Sequence, residues 1–195
     1  GYYLDLTGQE LNSPLSEFTE VTESTFTNAV YASADIPKLN LEVTPPGTRI
    51  IIPRLGSNVP VVSVSDEKLL ARNWEGLEAD IQDALKGGVV HYPGTPYPNQ
   101  SGNVVITGHS SYYPWDPGRF KDVFAVLHQA EVGDEILIFH DQKKYKYQVV
   151  EIKKILPTEI NVLGDSGDDR LTLITCTPIG TNLKRLIVIA KPVAS

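Results

Sequence analysis

The stretch "RLTLITCTPIGTNLKRLIVIAKPV", Arg170 to Val193, holds two apolar runs separated by a turn-rich connection. The only cysteine of the 195-residue chain, Cys176, lies where the first run ends. The run alternates, so a strand there turns Leu171, Leu173 and Thr175 to one face and Thr172, Ile174 and Cys176 to the other. Pro178 has no N–H to donate and stops the ladder. "KRLIVIAKPV" is a second β-branched run, and Pro178, Gly180 and Asn182 let the chain fold back between the two. A thiol therefore ends one strand, and a guanidinium, that of Arg185, heads the next.

Working outward, the same texture recurs. "TRIIIPRL" and "VPVVSV" are short β-branched runs split by "GSN", a turn signal. "NVVITGHSS" reads as a buried strand ending at Gly108 and His109, and "DEILIFH" and "KYKYQVVEIKKIL" as a strand pair joined by the polar turn "DQKK". "NWEGLEADIQDALKGG" is the one convincing helix: Leu77, Ile81 and Leu85 repeat at helical spacing and Gly87-Gly88 stop it. "RFKDVFAVLH" is a short helical candidate. Seven or eight short strands with one or two short helices predict a mainly β domain, a closed or nearly closed β-barrel.

Composition bounds the function. A hydrophobic fraction of 41% supports a core without metal or disulfides, and one cysteine cannot form an intrachain disulfide. Residues 1–47 carry seven acidic side chains against Lys38 alone, whereas the remainder has 17 acids and 16 bases. An acidic arm over 1–47, a linker or a lid, followed by a near-neutral domain over 48–195, excludes a nucleic-acid binder, which needs clustered cations. The chain has no methionine, so Gly1 is expected to follow a segment removed from the front. A signal or membrane anchor would belong there.

A thiol becomes a good nucleophile when a histidine or a nearby positive charge stabilises its thiolate. A lone cysteine can equally be a small buried hydrophobe. Among four histidines, His140 precedes a polar turn and is expected to be solvated, His128 to close a short helix, and His91 to make a local hydrogen bond in a proline-rich loop. His109 ends a strand, after a glycine and among hydroxyls. Arg185 can serve as a planar, always-charged donor to a carbonyl or a developing oxyanion, or be a surface charge beside Lys184.

Taken together, these residues resemble the sortase family of cysteine transpeptidases. "TLITC" at 172–176 is similar to that family's TLxTC signature, "TGHS" around His109 to its histidine segment, and Arg185, nine residues after Cys176, to its arginine. The resemblance covers about residues 48–193, and the spacing with "TCTP" looks closest to the subgroups called class C and class D. It implies a sortase-type β-barrel in which Cys176 attacks the threonine carbonyl of an LPxTG-like sorting signal in a secreted protein. His109 would then shuttle the proton and Arg185 would hold the peptide and its oxyanion, while Thr175 shapes the substrate groove. A thioacyl enzyme would pass its acyl group to the amine of a peptidoglycan precursor or of a pilin lysine. The implied setting is the extracellular face of a bacterial cell membrane, with the enzyme a monomer. No cofactor is needed for that chemistry.

The pattern also departs from the family. Pilus-building class C members carry an N-terminal Asp-Pro-aromatic lid motif; here Asp35-Ile36-Pro37 has the wrong order, and Asp116-Pro117-Gly118 reads as a turn. Some members bind calcium beside the groove, but Asp165, Asp168 and Asp169 in "GDSGDDR" lack the spacing of a calcium loop and read as a polar turn, so calcium and other metals are not expected. Two rival readings remain: a cysteine peptidase releasing the acyl group to water, and a non-catalytic surface module with a packed thiol. L,D-transpeptidase signatures are absent.

Overall fold

The computed structural model describes residues 44–110, 120, 122–164 and 167–193. The arm expected over 1–47 falls almost wholly outside these residues, as does the Asp116-Pro117-Gly118 turn. Eight strands form a closed barrel in the order β1-β2-β3-β4-β7-β8-β6-β5. They are β1 (Arg49–Ile52), β2 (Ser57–Ser63), β3 (Val89–His91), β4 (Asn103–Thr107), β5 (Glu135–His140), β6 (Lys143–Ile155), β7 (Arg170–Thr177) and β8 (Lys184–Pro192). The mainly β barrel expected from the sequence is what folds.

Local chemistry accounts for the connections. Gly56 takes a left-handed φ of 63° and its N–H bonds Pro53 at 3.0 Å, so β1 reverses into β2 through a short 3-10 turn. Ser57 and Asn58, expected in that turn, already pair with Ile52 and Ile51. Asp141 and Gln142, with φ of 48° and 59°, make the tight turn between β5 and β6. The turn is thus two residues long, and Lys143 and Lys144 of "DQKK" belong to β6.

β2 and β3 are parallel, which demands a crossover. α1 (Glu67–Leu70) and α2 (Trp74–Ala84) supply it. The Asn73 side chain accepts the Gly76 N–H at 3.0 Å and caps α2. Leu77, Ile81 and Leu85 are buried together with Val90 of β3, as their spacing predicts. The expected second helix is a 3-10 segment, Ala125–Gln129. Among the described residues no helix is long and apolar enough to cross a membrane.

The core is the barrel interior. Ile50, Val104, Ile106, Ile138, Leu173 and Val188 point inward from five strands, and Phe124 and Leu127 pack in the same cluster. Two polar staples fix strand register inside this wall. Thr172 Oγ1 donates to Asn103 Oδ1 at 2.7 Å, and Thr175 Oγ1 donates to the Gly108 carbonyl at 2.8 Å. Both threonines are buried, so each bond forms away from water and holds β7 to β4.

Candidate functional site

Strand register brings the three polar residues together. β7 and β8 are antiparallel, and Cys176 faces Arg185 directly across the pair. Such partners have Cβ atoms about 5 Å apart. β4 and β7 are parallel, with Thr107 opposite Ile174. Two residues further along each strand lie His109 and Cys176, so the imidazole-bearing residue leaves the barrel beside the thiol-bearing one. All three line one cavity of about 330 Å³, with Cys176 and Arg185 half-buried.

Each is held by its own local structure. Gly108 donates its N–H to the Ile174 carbonyl at 3.1 Å and accepts from Thr175 through its own carbonyl. A Cβ at Gly108 would sit 2.5 Å from Phe124 Cδ2 and 2.9 Å from Val89 Cγ1, so only glycine allows this approach. The His109 carbonyl accepts the Phe124 N–H at 3.0 Å, which ties the segment after β4 to the buried phenylalanine. Arg185 Nη1 donates to the Asn182 carbonyl at 3.1 Å, bracing the guanidinium on the β7–β8 connection.

Thr175, expected to shape a groove, lines the cavity but is 3% exposed, and its hydroxyl is engaged by Gly108. It joins the strand bearing Cys176 to the strand leading to His109.

Sequence reading missed the rest of the cavity wall. Glu78 and Gln82 of α2 line it, as do Tyr92, Pro157, Glu159 and Val162. Gln82 Nε2 donates to Glu78 Oε1 at 2.7 Å across one helical turn. Burial, and then the Glu78 charge, raise the Tyr92 phenol above its ordinary pKa, so it remains a donor at neutral pH. The only available signal was the outer face of an amphipathic helix, which does not say what it overlooks.

The other histidines sort themselves. His91 is buried and its Nε2 lies 2.9 Å from the Pro96 carbonyl, the local bond expected of it. His128 Nδ1 bonds the Ala125 carbonyl at the end of the 3-10 segment. His140 is not solvated as expected. Its side chain is 13% exposed, it stacks on Tyr97 with ring centroids 4.7 Å apart, and its Nδ1 lies 3.1 Å from Thr48 Oγ1. The tight turn places it on a barrel strand under the 92–102 loop, where Tyr97 also stacks on His91 at 4.3 Å. Of the "GDSGDDR" acids in the described residues, Asp168 pairs with Lys191, and Asp169 Oδ1 accepts the Gly102 N–H at 2.8 Å.

An eight-stranded closed barrel with a cysteine and an arginine paired across its last two strands defines the class, a β-barrel protein with a thiol at its rim. The chain belongs to the sortase family: the sortase domain model matches residues 50–193. Sortase A of Bacillus anthracis is 26% identical over 140 residues, which cover 72% of this chain and 56% of that protein. Sortase D of Bacillus subtilis strain 168 is 26% identical over 146 residues, 73% of this chain and 61% of that protein. Among solved structures, Sortase C1 of GBS Pilus Island 1 superposes with a TM-score of 0.61 at 30% identity, covering 76% of this chain and 64% of that one. Sortase A from Corynebacterium diphtheriae gives 0.60 at 28% identity, covering 78% and 63%. The chain thus spans less than two thirds of the first relatives it matches.

Proposed function

We propose that this chain is a cysteine transpeptidase that cleaves an LPxTG-like sorting signal and transfers the acyl group to an amine. The observation that carries the reading is the placement of Cys176, Arg185 and His109 on three adjacent strand ends around one cavity. The Cys176 thiolate attacks the carbonyl carbon of the signal's threonine. Arg185, one strand over, donates to the resulting oxyanion. Collapse of the tetrahedral species breaks the peptide bond, and His109 protonates the departing amine. A thioester remains on Cys176. An incoming amine attacks it after His109 takes its proton, and a new amide forms as the thiolate leaves.

The apolar part of the wall, Ile81, Leu85, Ile174 and Ile187, suits the aliphatic residues of such a signal. A peptidoglycan precursor or a pilin lysine is the proposed acceptor, on the extracellular face of a bacterial membrane, with residues 1–47 as an acidic arm preceding the catalytic domain.

Mass spectrometry of the protein mixed with LPxTG-like peptides tests this. A thioester adduct on Cys176, discharged to an added amine, supports it. Discharge only to water, with amine present, replaces it with a peptidase. No adduct with any peptide of the panel, alongside a thiol that resists alkylation, overturns the enzymatic reading.

A further inference from the structure

One wall of the Cys176 cavity is the connection from β6 to β7, which contributes Leu156, Pro157, Glu159, Val162 and Leu163 to the lining. Its regular part, among the described residues, is the four-residue 3-10 segment Ile160–Leu163. So short a segment does not hold its own place, and its last carbonyls find no partner within it. The backbone bonds inside 156–164 are local: the Glu159 N–H donates to the Leu156 carbonyl at 3.0 Å, and the Gly164 N–H to the Asn161 carbonyl at 3.2 Å. What fixes the wall comes from elsewhere.

It comes from the first residue of β4. Asn103 is 2% exposed, and its Nδ2 donates to the Val162 carbonyl at 2.8 Å and to the Gly164 carbonyl at 3.2 Å. Both amide hydrogens are spent on the wall, while Oδ1 accepts from Thr172 Oγ1 of β7. Among the described residues, these two bonds from Asn103 are the hydrogen bonds that join 156–164 to the barrel. The preceding residue ties the far end of the connection: the Gly102 N–H donates to Asp169 Oδ1 at 2.8 Å, and the Gly102 carbonyl accepts the Arg170 N–H at 3.0 Å.

Asn103 is itself remote from the thiol. It pairs with Arg170, six residues before Cys176, so it lies roughly 20 Å back along the barrel wall. We propose that Asn103 is a positioning residue for the chemistry at Cys176: its buried amide fixes the β6–β7 wall of the cavity and thereby sets how tightly a peptide is held there. The inference rests on the transpeptidase reading above. Without the amide, the Val162 and Gly164 carbonyls lose their donors, and the wall shifts to find others in water. The two sides of the amide are separable, because Oδ1 serves the barrel and Nδ2 serves the wall.

Two variants of the full chain use that division. Asn103→Asp keeps the side chain's size and an acceptor for Thr172 but removes both donors to the wall. Thr172→Val removes the bond on the other side and leaves the donors in place. With an LPxTG-like peptide and an added amine, Asn103→Asp is expected to raise KM roughly tenfold while kcat stays within about twofold of the parent's, the pattern of lost binding rather than lost chemistry. Thr172→Val is expected to keep the parent's KM. Hydrogen–deuterium exchange read by mass spectrometry should quicken over 156–164 in Asn103→Asp alone, and alkylation of Cys176 by iodoacetamide should proceed at the parent's rate in both. Asn103→Ala, which adds no charge, replaces the aspartate variant if circular dichroism shows that one unfolded. An unchanged KM, an equal rise in Thr172→Val, or a fall in kcat alone would overturn the proposal, and failure of both Asn103 variants to fold would assign the amide to folding instead. If the parent forms no adduct with any peptide, the transpeptidase reading fails on its own account; the exchange rates still test the tie, and unchanged exchange over 156–164 would overturn it.

Discussion

The two ends of β7 are built from the same kinds of residue and behave in opposite ways. Toward its start, Thr172 is fully buried and bonded to Asn103, whose Nδ2 in turn donates to the Val162 carbonyl at 2.8 Å. Nearby, the His91–Tyr97–His140 stack closes the 92–102 loop onto the barrel. Toward its finish, the threonine is again buried, but the next side chain, Cys176, faces a cavity and a guanidinium. Position along the strand accounts for the contrast: Thr172 and Cys176 share a face, but Thr172 is covered and bonded to Asn103, whereas Cys176 lies where β7 ends and the cavity opens. One strand thus separates a holding end from the proposed reacting end, so substitutions at its two ends should separate stability from activity.

The largest effect tests the reacting end. Cys176→Ala should abolish thioester formation by mass spectrometry while thermal unfolding stays close to the parent's, because a small half-buried residue replaces another. His109→Ala should lower kcat/KM by roughly 10²–10⁴-fold, the usual range for a lost acid–base group. Arg185→Lys should cost about 10²-fold or more, since a point charge does not reproduce the planar fork. Nearly full activity of the lysine variant would remove the role given to Arg185 and with it half of the contrast.

The holding end is tested by stability. Thr172→Val leaves Asn103 Oδ1 buried without its donor and should destabilise by about 1–3 kcal/mol in urea unfolding, with any surviving activity per folded molecule unchanged. A larger loss of activity than of stability would break the comparison.

The smallest effect is in pH. Desolvation lowers the His91 pKa most, and the His140 charge adds to this, while the Pro96 carbonyl and Asp66 oppose it. A depressed folded-state value means that the unfolded chain binds the proton more readily. The stabilisation is therefore complete above the ordinary histidine value of 6.5 and is lost as pH falls below it. The fall in melting temperature from neutral to mildly acidic pH should become shallower in His91→Gln, and an unchanged slope would assign it to other groups.

Much of this was legible in the residues. The period-two runs marked the strands, the spacing of Leu77, Ile81 and Leu85 marked α2, and the ordered histidine, TLxTC and arginine segments marked the family. What failed to show had identifiable causes. His140 beside a polar turn looked solvated because a two-residue turn keeps it on the strand, beneath a loop from far along the chain. Glu78, Gln82 and Glu159 were not singled out because exposed acids on a helix or loop carry no sign of the cavity they border.

Sequence by itself determined the elements, their faces and the candidate site residues, because these follow from local periodicity and from side-chain chemistry. Only the tertiary structure decided that Cys176 lies opposite Arg185 and that His109 emerges beside them. Strand order and register are set by contacts between residues distant along the chain, such as the bond between Thr175 and Gly108, and these form only when the barrel closes.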